Sequence, residues 1–115
     1  MPLRLLVDLA PRPLRLTLRE GESILGSGNP ETGIELQVTH PSVSRRHAKL
    51  LLDGEELLVE DLGSSNGTWV GGRRISGPTP VSLVTALRFG GVEARLERVE
   101  TEDLEPAISL AGAER

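Results

Sequence analysis

Apolar and polar residues alternate along much of this chain. Leu14, Leu16 and Leu18 alternate with Arg15, Thr17 and Arg19; Val92, Ala94 and Leu96 alternate with Glu93, Arg95 and Glu97. A period of two sorts side chains onto the two faces of an extended strand, one buried and one wet. Apolar runs at Leu3–Leu9, Ala48–Leu52, Leu57–Asp61, Thr68–Val70 and Leu87–Phe89 read as further strands. Between them stand Asp53-Gly54, Gly71-Gly72 and Gly90-Gly91, and glycine supplies the positive φ that two-residue hairpins require. Val92 to Glu100 also contains good helix formers, but Gly90-Gly91 would pair it with Leu87–Phe89, so strand is the expectation. Many short strands with frequent turns predict an all-β fold, a sandwich or a barrel.

The pattern ends near residue 100. Residues 1–100 are expected to form one domain, and 101–115 an acidic, then small-residue, tail or linker. One helical turn is placed near Pro106–Ala113. The tail reads as a connection to something beyond Arg115.

Composition narrows the function classes. Among 115 residues there is no cysteine, which excludes disulfides and thiolate metal sites. The net charge is −4, and only Trp69 and Phe89 offer rings for base stacking, so no nucleic-acid partner is expected. The opening "MPLRLLVDLAPRP" is too short in its apolar run for a membrane span and lacks a cleavage pattern. No membrane partner is expected, and the chain reads as soluble and cytoplasmic. No cofactor or metal is expected. Lys49 is the sole lysine, and the other basic residues are arginines, which suit bidentate contact with oxyanions.

Three loops hold candidate chemistry. "LGSGNPETG" (Leu25 to Gly33) lacks the third glycine and the following helix of a dinucleotide site, and lacks the Gly-Lys-Ser/Thr of a nucleotide loop. It reads as a turn between strands. "GSSNG" (Gly63 to Gly67) matches a hydrolase elbow in letters only: a strand follows Ser65, and both histidines precede it. "HPSVSRRHAKL" (His40 to Leu50) sets Ser44 three residues before His47, without an evident orienting group or oxyanion hole, so no enzyme is expected. Taken together, the last two loops combine hydroxyls, amides near glycine, and arginines. Those are the donors of a phosphate site, beside an asparagine able to pair with a peptide backbone.

"PSVSRRHAKL" followed by "VEDLGSSNGTWVGGRRI" resembles the S-x-x-H and D-x-x-S-x-N-G-T blocks of the forkhead-associated (FHA) domain family, and Leu25-Gly26 resembles the glycine of its first block. With "LRFGGVEARLERV", the likeness runs from about Leu3 to Val99. The resemblance implies a sandwich of about eleven short strands. It also implies recognition of a threonine-phosphorylated protein or peptide, in Ser/Thr-kinase signalling. Carried over, Ser44 bonds the phosphate through its hydroxyl, Arg45 through its amide and Arg46 through its charge. Ser65 lines the pocket and Asn66 holds the ligand main chain. Gly26, His47, Gly67 and Thr68 are architectural, His47 bracing the loop and Gly67 permitting the turn.

The departures matter as much. The family's phosphate-gripping Arg is replaced by Ser27, which leaves Ser27 as the candidate ligand from the first loop. The loop to Ile34 is one residue longer than the family pattern. A second family Asn is Gly71, and the family's Gly-Asp turn is Thr85-Ala86. Losing one charge-assisted contact weakens binding by about 1.5–3 kcal/mol. The alternative is therefore a degenerate FHA domain that binds a partner without phosphate. A further expectation comes from "VETEDLEP": Thr101, flanked by acids, as a phosphorylated self-ligand of the domain.

Overall fold

The computed structural model describes residues 3–99. The proposed tail, its helical turn near Pro106–Ala113 and the self-ligand Thr101 lie outside the described residues. Eleven strands form two sheets. The first sheet takes β1 (Leu3–Val7), β2 (Leu14–Thr17), β7 (Thr68–Val70), β8 (Arg73–Arg74), β10 (Ala86–Phe89) and β11 (Val92–Arg98), in the order β2-β1-β11-β10-β7-β8. The second takes β3 (Gly21–Gly26), β4 (Leu36–Gln37), β5 (Ala48–Asp53), β6 (Glu56–Asp61) and β9 (Thr79–Val81), in the order β4-β3-β5-β6-β9. All pairings are antiparallel except β3 with β4, which are joined across a 3₁₀ turn at Pro30–Thr32.

The period-two pattern becomes the core. Leu3, Leu5 and Val7 of β1 and Val92, Ala94 and Leu96 of β11 point inward. They meet Leu25, Ala48, Leu50, Leu57 and Val59 of the other sheet in one apolar cluster. This is a β-sandwich, with the inner faces of two sheets dehydrating each other.

Two expectations shift slightly. Leu14 and Leu16 do face inward, yet remain only half-buried, because β2 is an edge strand with a partner on one side. The first hairpin turn falls at Gly54–Glu55, one residue later than Asp53-Gly54, since Asp53 still pairs with Glu56. Four strands escape the pattern. β3 reads "GESILG" without alternation, β4 and β8 have two residues each, and β9 contains Pro80. Proline is tolerated there because β9 is also an edge.

At one end of the sandwich the loops β4–β5 and β6–β7 meet the β10–β11 turn. The Gly90 amide donates to the Gly67 carbonyl at 2.8 Å, and the Gly91 amide donates to Ser42 Oγ at 2.8 Å. The two serine-rich loops are thereby fixed to the rigid ends of strands.

Candidate functional site

The first loop lies along the second. The amides of Ser27 and Gly28 donate to the carbonyls of Ser44 and Arg45 at 3.0 and 3.2 Å, and Ser27 Oγ donates to the Val43 carbonyl at 2.8 Å. Three successive carbonyls of the β4–β5 loop are thus held from one side. Gly26 makes this approach feasible: a Cβ at that position would sit 1.9 Å from the Arg45 carbonyl oxygen. Any side chain there would push the two loops apart.

His47 joins the second loop to the third. It is fully buried, edge-on to Phe89 with ring centroids 6.0 Å apart. Its Nδ1 accepts the Ser44 amide at 3.0 Å, and its Nε2 lies 2.9 Å from the Gly67 carbonyl. An amide can only donate and a carbonyl only accept, so the ring is assigned as the neutral Nε2–H tautomer. Both ring nitrogens are occupied by backbone, which leaves neither to take a proton from the Ser44 hydroxyl.

The third loop is wound around Asp61. The amides of Gly63 and Ser64 donate to its Oδ2 at 3.0 Å each, while the Ser64 and Thr68 hydroxyls donate to Oδ1. Burial pushes the Asp61 carboxyl up. Hydrogen bonds from the Ser64 hydroxyl, the Thr68 hydroxyl and the two amides outweigh it and hold the group below its ordinary value. Ser64 Oγ in turn accepts the Gly67 amide at 2.9 Å, and Gly67 has φ +89°, where a side chain is strained. Fully buried Thr68 starts β7 directly after the turn.

Against this frame stand the proposed contact residues. Ser44 Oγ accepts the Ser65 amide at 3.1 Å, so its own O–H proton remains free to donate elsewhere. Ser65, Arg45 and Arg46 are exposed, and neither guanidinium has a carboxylate partner among the described residues. The amides of Arg45 and Arg46 and the Ser65 hydroxyl likewise have no protein partner among those residues. Asn66 donates one N–H to the Ser42 carbonyl at 2.9 Å, which fixes its amide plane and leaves its Oδ1 and second N–H open. Arg46 reaches towards the β3–β4 loop: its Nη1 lies 3.9 Å from where a Cβ on Gly33 would sit. Ser27 differs from the rest, because its hydroxyl is already engaged with the neighbouring loop.

The arrangement gathers hydroxyl, amide and guanidinium donors at one end of the sandwich, on a backbone that hydrogen bonds hold in place. Such a set can take an anion without reorganising. Two supporting residues were missed in the sequence. Asp61 was visible as the first letter of its block, but its role as a hub for four donors depends on how the loop curls back. Ser42 bonds His40 of its own loop, and Asn66 and Gly91 from two distant segments, and its local sequence carries no signal of the distant pair.

Comparison with known proteins agrees with this geometry. The FHA domain family model matches residues 23–90. The FHA domain-containing protein FhaB of Mycobacterium tuberculosis is 37% identical over 76 residues, which is 66% of this chain and 47% of that protein. The chain therefore spans about half the length of the curated relatives it matches. An FHA domain solved in a structural and functional analysis of phosphothreonine-dependent interactions superposes with a TM-score of 0.73 at 28% identity, covering 87% of this chain and 99% of that one. The FHA domain of the CT664 protein from Chlamydia trachomatis superposes at 0.75, also with 28% identity, covering 87% of this chain and all of that one. With the family model spanning more than half its length, and with the sandwich and both loop blocks in place, this chain belongs to the FHA domain family.

Proposed function

We propose that this domain binds threonine-phosphorylated segments of partner proteins, as a recognition module in Ser/Thr-kinase signalling rather than an enzyme. The observation that carries the reading is the cluster of donors without protein partners around Ser44. Its hydroxyl proton, the Ser65 hydroxyl, the amides of Arg45 and Arg46, and two guanidinium groups match the needs of a phosphate, which presents three acceptor oxygens and nearly two negative charges. Asn66, its plane set by Ser42, has one acceptor and one donor left for the main chain of an extended peptide. The choice of phosphothreonine rests on the likeness to the FHA domain studied for phosphothreonine-dependent interactions.

Calorimetry with a phosphothreonine peptide and its unphosphorylated twin tests the reading. The phosphorylated peptide is expected to bind more tightly, and Ser44→Ala and Asn66→Ala should each cost about 1–3 kcal/mol of that binding while the fold persists. If both variants bind like wild type, the assignment is wrong. A second reading is favoured by one observation, the commitment of Ser27 to the Val43 carbonyl where the family places a cation. Under it the domain binds its partner without phosphate, and equal affinity for the two peptides would select it.

A further inference from the structure

Charge is divided unevenly between the two sheets. The strands of the six-stranded sheet carry seven arginines against two glutamates. Those of the five-stranded sheet carry one lysine against five carboxylates. On the outward face of the first sheet, the register lines up Arg15, Leu6, Arg95 and Ala86 across β2, β1, β11 and β10. The next row is Glu93, Arg88, Trp69 and Arg74, across β11, β10, β7 and β8. Arg4 on this face is paired with Glu97. Arg15, Arg74, Arg88 and Arg95 have no carboxylate partner among the described residues.

The second row begins at the proposed peptide site. Trp69 Nε1 donates to the Asn66 carbonyl at 3.4 Å, and the Arg74 side chain lies against Gly67, its Nε 2.6 Å from where a Cβ would sit. The Arg88 guanidinium stacks on the Trp69 ring, 4.4 Å from its centroid. Beyond them opens a groove of about 780 Å³, bordered by Leu6, Trp69, Arg88, Arg95 and the fully solvated Val84.

We infer that this face is a second contact surface for the same partner: an acidic stretch beside the phosphothreonine lies across Arg74, Trp69 and Arg88 towards Arg95. The inference rests on the phosphopeptide reading, because Asn66 brings the ligand to the start of the row. Charge complementarity selects an acidic occupant. Continuity with a peptide site and the apolar wall of Leu6 and Val84 favour a protein segment over the uniform phosphates of a nucleic acid or membrane. Arg74 and Arg88 stand two strands apart, about 10 Å, which an extended chain spans in about three residues. Acidic residues two or four apart share one face of such a chain and would meet both within side-chain reach. Tethering to the phosphothreonine raises the effective concentration of such a stretch, so modest contacts suffice.

The test uses the full chain and three peptides: a short phosphothreonine peptide, the same peptide extended by Glu/Asp-rich residues, and the same peptide extended by Ser/Gly residues. The acidic extension should tighten binding about tenfold and make it salt-sensitive, and the neutral extension should not. Arg95→Glu and Arg88→Gln should each remove most of that gain, and Arg95→Glu should leave the short peptide unaffected. Equal affinity of the two extended peptides overturns the proposal. So does retention of the gain in both variants, or tighter Arg95-dependent binding to an RNA oligonucleotide or to phosphatidylserine vesicles than to the acidic peptide. If light scattering shows dimers that Arg95→Glu dissolves, a second copy occupies the face, and the proposal falls. Should the short phosphopeptide fail to bind while an unphosphorylated acidic peptide binds through Arg95, the phosphothreonine reading fails and the basic face stands alone.

Discussion

The Nε2–H of His47 donates to the carbonyl of Gly67, twenty residues away, at 2.9 Å inside the core, while its Nδ1 accepts the amide of Ser44. One imidazole therefore sets the distance between the loop that carries Ser44, Arg45 and Arg46 and the loop that carries Ser65 and Asn66. The energetic weight of this link comes from its burial. A carbonyl and an amide lose their partners together if the ring is removed, and the Gly67 carbonyl lies buried, away from water that could replace the ring.

His47→Ala should therefore destabilise the fold by about 2–4 kcal/mol, from two orphaned backbone groups and a cavity beside Phe89. Denaturant unfolding measures it. Binding of any phosphopeptide should fall as well, although His47 touches no ligand. A His47→Ala variant with an unchanged unfolding midpoint would show that the loops are held apart by something other than the ring.

Asp61 makes acid stability predictable in sign. Its carboxyl is held below its ordinary value, so the folded state binds its proton less readily than the unfolded chain does. The contribution is complete above about pH 4 and is lost as the pH falls through the folded value. Thermal unfolding of wild type and Asp61→Asn should differ clearly at pH 6 and converge towards pH 3. A gap that stays constant over that range would mean that the charge of Asp61 is not what stabilises the β6–β7 loop.

Ser27 offers the most direct change in function. Its amide bond to the Ser44 carbonyl does not depend on the side chain and is kept in Ser27→Arg, whereas its hydroxyl bond to Val43 is lost. Ser27→Arg should thus cost about 0.5–1.5 kcal/mol of stability and add a guanidinium at the edge of the proposed phosphate site. Titration calorimetry should show phosphothreonine-peptide affinity rising about tenfold, with the unphosphorylated peptide unaffected. Wild-type affinity that already equals that of the variant would assign the missing charge to another residue, with Arg46 the first to test.

The alternation at Leu14–Arg19 and Val92–Glu97 was enough to predict β2 and β11, because burying one face of a strand leaves a local mark every second residue, and the apolar run at Leu3–Leu9 was enough to predict β1. Gly71-Gly72 and Gly90-Gly91 marked their turns for an equally local reason, the positive φ that Gly71, Gly72 and Gly90 adopt. The blocks around Ser44 and Asn66 were legible as a donor-rich pair of loops. Strands β3, β4 and β9 were not, since they owe their form to neighbours across the sheet and not to their own pattern. The tertiary structure alone decided that Gly26 must lie under the Arg45 carbonyl, that Ser27 turns to Val43, and that Asp61 gathers four donors. It also decided that Arg74, Trp69 and Arg88, from three separate strands, share one outward row. Each of these depends on where distant segments meet, and a one-dimensional pattern carries no information about a contact whose two halves lie nineteen residues apart, as Gly26 and Arg45 do.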